Sequence, residues 1–465
     1  MDHLAGVIRR SFRRKSNKGV SGNTNGNPAS EDSSIPDDCK TLVLSGGQSF
    51  FEYLVVVSLK KNCDGCYAPQ ITYQFPKMNL QRENILNFRK DEEERLLNAI
   101  PLFCFPDGNN WAPLREYKSE TFSFVLTNID SSRKFGYCRR LLPAGNGSRS
   151  PEVYCIISSL GCFGLFSKIL DEVEKRRAIS TALVYPFMQG LREATFPAPG
   201  KTVKIKSFIP ESGTEMIELT RPLDCRLEHI DFNTLMQCLK SQIILVIFAS
   251  VVLERRIVFV ASDLRILSEC IHAVVALLYP FAWEHTYIPV LPHVLIDTVS
   301  CPAPFIVGVQ NQFLSSILDQ PMEEVLLVDL CEGKLIQKVG DEEEILPPKL
   351  KEQIRIFLDD YQQITKKSPE EINGAVSKTF MQFFVQVMGH YTSHLKESNG
   401  GKFTFEEKAF SKAVRSKTIR KFLKQFVKTQ MFSIFIEAQL NKSTQNGYFQ
   451  QKVKEFNEQK KTERK

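Results

Sequence analysis

What the chain lacks narrows it first. Among its 465 residues the longest nearly unbroken apolar stretch runs only from Ile243 to Leu253. That falls short of the ~20 residues a membrane-spanning helix needs. The arginine-bearing N-terminus has no long apolar segment behind it, so a secretory signal is not expected. Residue 2 is Asp rather than Gly and the last residues are Thr-Glu-Arg-Lys, so neither myristoylation nor prenylation is expected. Twelve cysteines are too sparse for a disulfide scaffold. Cys104, Cys155, Cys162, Cys238 and Cys270 lie in apolar segments, where a reduced thiol packs as a small hydrophobe. This usage predicts a reducing, cytoplasmic location. Cys63-Asp-Gly-Cys66 has no second ligand pair at comparable spacing and reads as a turn rather than a zinc or redox site.

The body also lacks basic charge. The net charge is +7, but residues 1–20 carry six Lys/Arg against one Asp, and residues 451–465 carry six against three Glu. The two tails therefore hold +8 and the body −1. A phosphate-tracking groove needs clustered positive charge on the folded part, so a nucleic-acid-binding body is not expected.

Reacting groups are scarce as well. There is no Gly-x4-Gly-Lys-Ser/Thr loop, no Gly-x-Ser-x-Gly elbow and no His-Glu-x-x-His helix. Gly161 and Gly164 follow a strand and precede a helix, but bulky Cys162 and Phe163 between them favour helix packing over a dinucleotide site. His285 and His293 bracket a strand-like run without a completing Cys or acidic ligand, which favours structural roles. Asp329 ends a strand, where functional carboxylates often sit in α/β folds and where a turn role is equally open. Neither a cofactor nor a metal site is expected.

What is present is ordinary globular composition, 43% hydrophobic and 24% charged, with room for two or three domains. Residues 1–40 form a basic and polar tail. Leu4, Val7, Ile8 and Phe12 recur at helical spacing, with Arg9, Arg10, Arg13 and Arg14 on the remaining faces. Two readings stand for it, a short helix lying on an acidic membrane surface and a disordered solubilising tail.

From 49 to 198 the pattern is strand, strand, helix, three strands, helix: Phe51 to Leu59, Ile71 to Phe75, Asp91 to Ile100, Thr121 to Ile129, Lys134 to Leu142, Val153 to Leu160, and a helix to about Arg177. Residues 199–219, opened by Phe196-Pro-Ala-Pro-Gly200, read as a linker. From 220 to 353 an all-round apolar helix (Ser241 to Leu253) precedes a doubly covered strand (Ile257 to Ala261) and a helix capped by Ser262 or Asp263. Strands at Phe305–Val309 and Val325–Leu330 follow, so the alternation implies a mostly parallel sheet flanked by helices. After Pro347 strands are expected to disappear, leaving a helical part over 355–447 and a charged tail over 448–465. The fold class is therefore α/β, α+β overall, in two lobes with a helical C-terminal part.

Certain motifs are more specific than this pattern. Phe103-Cys-Phe-Pro-Asp-Gly108 followed by Trp111, then Thr121-Phe-Ser-Phe-Val-Leu-Thr127, resembles the upstream part of the tripartite DENN domain. Leu253-Glu-Arg-Arg-Ile-Val-Phe-Val260, Leu278 to Pro292 and Pro304-Phe-Ile-Val-Gly308 look like its central part, and the aromatic-rich helices from Phe380 to Phe435 like its downstream part. Phe50-Phe-Glu-Tyr53, Gly136 to Leu142, Cys162 to Lys168 and Gly447 to Lys452 resemble subfamily 2, and the short region before residue 49 is expected to set it among the shorter members.

The resemblance implies a longin-like first lobe, a second α/β lobe, and guanine-nucleotide exchange on a Rab GTPase held between them, with no covalent chemistry of its own. For subfamily 2 it implies the Rab-nine pair of late-endosome-to-Golgi traffic, hence a cytoplasmic protein peripheral on endosomal or Golgi membranes. Candidate GTPase contacts lie in the motif-bearing loops: Phe105, Pro106, Asp107 and Trp111 from the first lobe, and Trp283, His285 and Tyr287 from the second. The bland alternative is that Trp283 and Tyr287 pack a loop onto the sheet. Rival functions are a Rab-binding effector or scaffold without exchange activity, and GTPase activation through Arg133, Arg139 or Arg140. In the family a second Asp tends to follow the strand-ending Asp-Leu pair. Here Cys331-Glu332 stands instead, and any role carried by that acid is in doubt.

Overall fold

Side chains alternate across a strand, and over Leu54–Val57 of Tyr53–Lys61 (β1) both sides are apolar and buried. Val55, Val57 and Leu59 belong to one core, Leu54 and Val56 to another. A computed structural model, describing residues 49–63, 65–76, 87–108, 111–128, 132–210, 213–221, 227, 230–361, 368–397, 403–440 and 447–462, shows what covers each side. β1 sits in a five-stranded antiparallel sheet with Tyr67–Phe75 (β2), Glu120–Thr127 (β3), Arg133–Leu141 (β4) and Glu152–Ser158 (β5), in the order β2-β1-β5-β4-β3. One face carries the helix Asn87–Cys104 (α1), through Leu96, Ile100 and Phe103. The other carries Phe163–Ile179 (α2) and Val184–Glu193 (α3), whose apolar stripes include Phe166, Ile169, Val173, Phe187 and Leu191. The strand and helix positions read from the pattern hold, with ends shifted by a few residues.

Residues 199–219 do more than link. Thr202–Ile209 (β6) and Gly213–Thr220 (β7) pair as an antiparallel hairpin. Its inward residues Ile205 and Leu219 are buried in the core of α2 and α3. Arg176, fully buried, lies over the Phe187 ring and donates from Nε to Ser207 Oγ at 3.0 Å, which ties the hairpin to the lobe. The Pro-rich entry hid a period-two pattern, Val203, Ile205, Ser207, Ile209, that is a strand signal.

The second lobe begins with Phe232–Cys238 (α4), capped by Asp231, and the buried Ser241–Val252 (α5). Arg256–Ala261 (β8), Thr286–Ile288 (β9), Phe305–Gln310 (β10) and Val325–Asp329 (β11) run parallel, and Lys334–Gln337 (β12) closes one edge antiparallel, in the order β12-β11-β8-β10-β9. Leu264–Ala276 (α6) is N-capped by the Asp263 carboxylate, which accepts from Arg265 N and Ile266 N. The short Leu314–Leu318 (α7) follows β10.

Of the remaining helices, Glu342–Ile345 (α8) and Pro348–Tyr361 (α9) bury aliphatic residues such as Ile345, Leu350, Ile354 and Leu358, while Pro369–Met388 (α10), Glu407–Ala413 (α11), Lys417–Phe426 (α12), Gln430–Leu440 (α13) and Tyr448–Thr462 (α14) bury aromatic side chains. Phe248 of α5 meets Phe380, Phe383 and Phe384 of α10 with ring centroids 4.8, 5.3 and 5.9 Å apart, which fixes this part on the second lobe. Two expectations are corrected here. Leu395–Glu397 (β13) and Phe403–Phe405 (β14) form a short hairpin, so strands do not vanish after Pro347. The charged tail is helical as far as Thr462, because Phe449 and Val453, four residues apart, are buried in the core.

Candidate functional site

The two lobes meet along a seam where β3, the edge strand of the first sheet, lies against α6 and β9 of the second lobe. His272 points from α6 into this seam and is buried. Its Nε2 faces Ser123 Oγ of β3 at 3.1 Å, and its Nδ1 is hydrogen-bonded to the Tyr287 hydroxyl of β9. One imidazole thus joins both lobes. Phe163 packs on the same ring at 4.3 Å. Arg133 of β4 donates to the Trp283 carbonyl and holds its guanidinium 5.2 Å from the Tyr287 ring centre. Burial pushes the Tyr287 hydroxyl well above its ordinary pKa, against the opposing effect of Arg133, so it stays protonated as a hydrogen-bond partner.

A second junction grows from the end of α1. Gly108, at a φ of 84°, makes the left-handed turn after Asp107. The Pro106 carbonyl accepts from His293 N of the second lobe at 3.1 Å. Phe105 meets Trp111 edge-on at 5.7 Å. Arg140 of β4, nearly fully buried, donates to Asp107 Oδ2 at 2.8 Å and to Glu120 Oε1 at 2.6 Å, and lies 5.1 Å over Trp111. Burial works against the Arg140 charge, but Asp107 and Glu120 outweigh it and raise its pKa. The arrangement is a charge pair whose arginine also stacks on aromatic faces.

A third junction joins the second lobe to the C-terminal helices. Glu254, in the turn before β8, adopts a φ of 53°, rare for a residue with a side chain. Its carboxylate accepts from Gln430 N at 2.8 Å and Met431 N at 2.7 Å, capping the start of α13, and lies 3.2 Å from His285 Nε2. Burial alone would raise the Glu254 pKa; His285 and the two backbone N–H groups outweigh it and hold it below the ordinary carboxylate range.

The structure therefore brings together all seven predicted contact residues at or beside the seam, in different states. Phe105, Pro106, Trp283 and Tyr287 are buried and present little surface to a partner; Trp283 is 1% exposed and donates from Nε1 to Thr286 O at 3.1 Å. The side chains of these four are packed at the junctions. Asp107, Trp111 and His285 are partly exposed. Ile8, Arg9, Arg10, Phe12, Arg13 and Arg14 lie outside the described residues.

Other singled-out residues take structural positions. His293 packs on Phe313 at 4.4 Å, apart from the Glu254–His285 pair. Asp329 Oδ1 accepts from Cys331 N and Glu332 N, a turn role. Arg139 pairs with Asp171 and Glu174.

His272, Ser123 and Glu254 carry junctions without having been chosen from the sequence, and Arg140, singled out only for a rival function, carries another. A histidine on the apolar stripe of α6 and a Glu-Arg-Arg turn before a wholly apolar strand were the available signals.

With this geometry in hand the comparisons with known proteins are decisive for class. Family models match three stretches in order: the uDENN domain over residues 69–141, the DENN (AEX-3) domain over 149–333 and the dDENN domain over 405–452. The chain belongs to the tripartite DENN domain family, within its subfamily 2. It is 63% identical over 420 residues to the human DENN domain-containing protein 2D, covering 90% of this chain and 88% of that protein. The mouse DENN domain-containing protein 2D matches to the same extent. Human DENN domain-containing protein 2B is 50% identical over 422 residues, 89% of this chain but 37% of that longer protein.

Proposed function

We propose that the chain is a guanine-nucleotide exchange factor that promotes GDP release from a Rab GTPase, of the Rab-nine type, in endosome-to-Golgi vesicle traffic. The observation that carries this reading is the seam itself: the upstream and central parts of the DENN module are joined by a buried Ser123–His272–Tyr287 chain and by Arg133 on Trp283. Exchange needs no bond made or broken by the protein. It needs a surface that favours the nucleotide-free partner over the loaded one, because equal binding shifts nothing. Accelerating release by three to five decades takes about 4–7 kcal/mol of such differential contact.

A flexible pair of lobes would lose part of that in ordering itself, whereas lobes held by buried hydrogen bonds have ordered themselves on folding. Partner contact then falls to the rim of the seam: the partly exposed Trp111, Asp107 and His285 and, beside His293, the exposed Val294.

The test is release of a fluorescent GDP analogue from a Rab panel. Acceleration on one Rab or a close pair is expected; a flat response across the panel removes the proposal. An effector would instead bind the GTP-loaded form more tightly than the empty one. The basic N-terminal segment is proposed to place the protein on acidic membrane surfaces, so removing residues 1–15 is expected to reduce sedimentation with anionic liposomes.

A further inference from the structure

Directly behind the Phe105–Asp107 junction, three thiols converge. Cys104 ends α1, and Cys138 and Cys155 stand opposite one another on the paired strands β4 and β5. Their Sγ atoms all lie within 4.8 Å of one another, Cys104 and Cys138 at 3.9 Å, and all three residues are fully buried. A metal bound about 2.3 Å from each of three sulfurs in one plane holds those sulfurs about 4 Å apart. Cys104 and Cys138 already stand at that spacing, and Cys155 lies within 4.8 Å of both. It comes from three separate elements, so the fold positions the thiols without a ligand.

The donor set discriminates among metals. The cluster consists of thiols alone. Zinc in structural sites takes four ligands, and calcium and magnesium take oxygen, whereas a soft monovalent ion is suited to thiolate sulfur. We infer that Cys104, Cys138 and Cys155 form a three-sulfur Cu(I) site under the lobe seam.

Each ligating thiol gives its proton to solvent as the ion enters. Arg140, two residues along β4 from Cys138 and so on the same face of the strand, supplies a cation that offsets part of the charge three thiolates leave on Cu(I). Because Cys104 is followed directly by the Phe105–Asp107 loop, an occupied site fastens that loop to the sheet from behind.

The experiment uses the full chain with exposed Cys63, Cys66 and Cys331 replaced by Ser. Anaerobic titration with Cu(I) against a chromophoric chelator is expected to give one ion per chain. X-ray absorption is expected to show three sulfur neighbours at about 2.3 Å. In the same background Cys138→Ser and Cys155→Ala each lower Cu(I) affinity by at least about tenfold, while Cys162→Ala, buried outside the cluster, leaves it unchanged.

Failure to bind Cu(I), or undiminished binding in both variants with native circular dichroism, overturns the site. Should either variant misfold, the absorption spectrum of the Cys63/Cys66/Cys331 protein decides alone. Fewer than three sulfurs, or nitrogen or oxygen in the shell, overturns the proposal as well.

Discussion

The imidazole of His272 stands between Tyr287, hydrogen-bonded at Nδ1, and Ser123 Oγ, 3.1 Å from Nε2, so a single side chain of α6 binds the edge strands of two different sheets. A neutral imidazole offers one donor and one acceptor, and this pair of hydroxyls satisfies both. Replacing His272 by Ala leaves two buried hydroxyls without it, at about 1–3 kcal/mol each. His272→Ala is therefore expected to lower urea-unfolding stability by at least ~1 kcal/mol. Ser123→Ala combined with it should cost less than the sum of the singles, as residues in one network do. Strict additivity in that double-mutant cycle would show that the network does not couple the lobes.

Gly308, on β10, leaves no room for a side chain. A Cβ there would lie 2.0 Å from Pro289 O, 2.6 Å from Ile271 Cδ1 and 2.8 Å from Leu267 Cγ. The backbone passing over β10 is fixed by Leu291 N donating to Gly308 O at 2.7 Å. Gly308→Ala is expected to cost about 3 kcal/mol or more. Gly374→Ala, on the exposed face of α10 with nothing within 4 Å of the new methyl, is expected to gain about 0.5–1 kcal/mol. Thermal unfolding of both variants checks the contrast.

Glu254 gives the fold an acid-sensitive joint. Its pKa lies below the ordinary 4.5 in the folded chain, so its contribution is complete above about pH 4.5 and is lost as pH falls through the lower folded value. Glu254→Gln removes this part of the pH dependence. Urea unfolding of the variant and the parent is expected to differ more at pH 6 than at pH 3, and a pH-independent difference would contradict the assignment.

Val294 tests the proposed exchange function without disturbing the core. It is 39% exposed beside the Pro106–His293 junction, so Val294→Asp is expected to change stability by no more than about 0.5 kcal/mol. Exchange on the responsive Rab is expected to fall by about tenfold or more, as for a contact worth over about 1.4 kcal/mol. Unchanged exchange would place the partner elsewhere on the surface.

Local pattern and specific motifs made most of the fold legible. The wholly apolar Ser241–Val252 had to be a buried helix, and Arg256–Ala261, apolar on both sides, had to be a strand covered twice. What escaped was non-local. Trp283 and Tyr287 read as loop aromatics, yet Arg133, about 150 residues away in sequence, closes over them. No spacing in the chain announces such a pairing. The three-residue strands β13 and β14 are too short to display a period, and the β6–β7 hairpin was masked by the prolines before it. The candidate residues were gathered into the right region because the motifs carry it, but which of them face solvent depends on how the lobes dock.

The meeting of β3 with β9 has one more consequence. Each is the last strand of its own sheet, and a last strand carries unpaired N–H and C=O groups that template aggregation when bared. Here each lobe shields the other's vulnerable border. Cutting the chain in two would uncover both borders at once, so each separated half is expected to aggregate more readily than the intact pair of lobes.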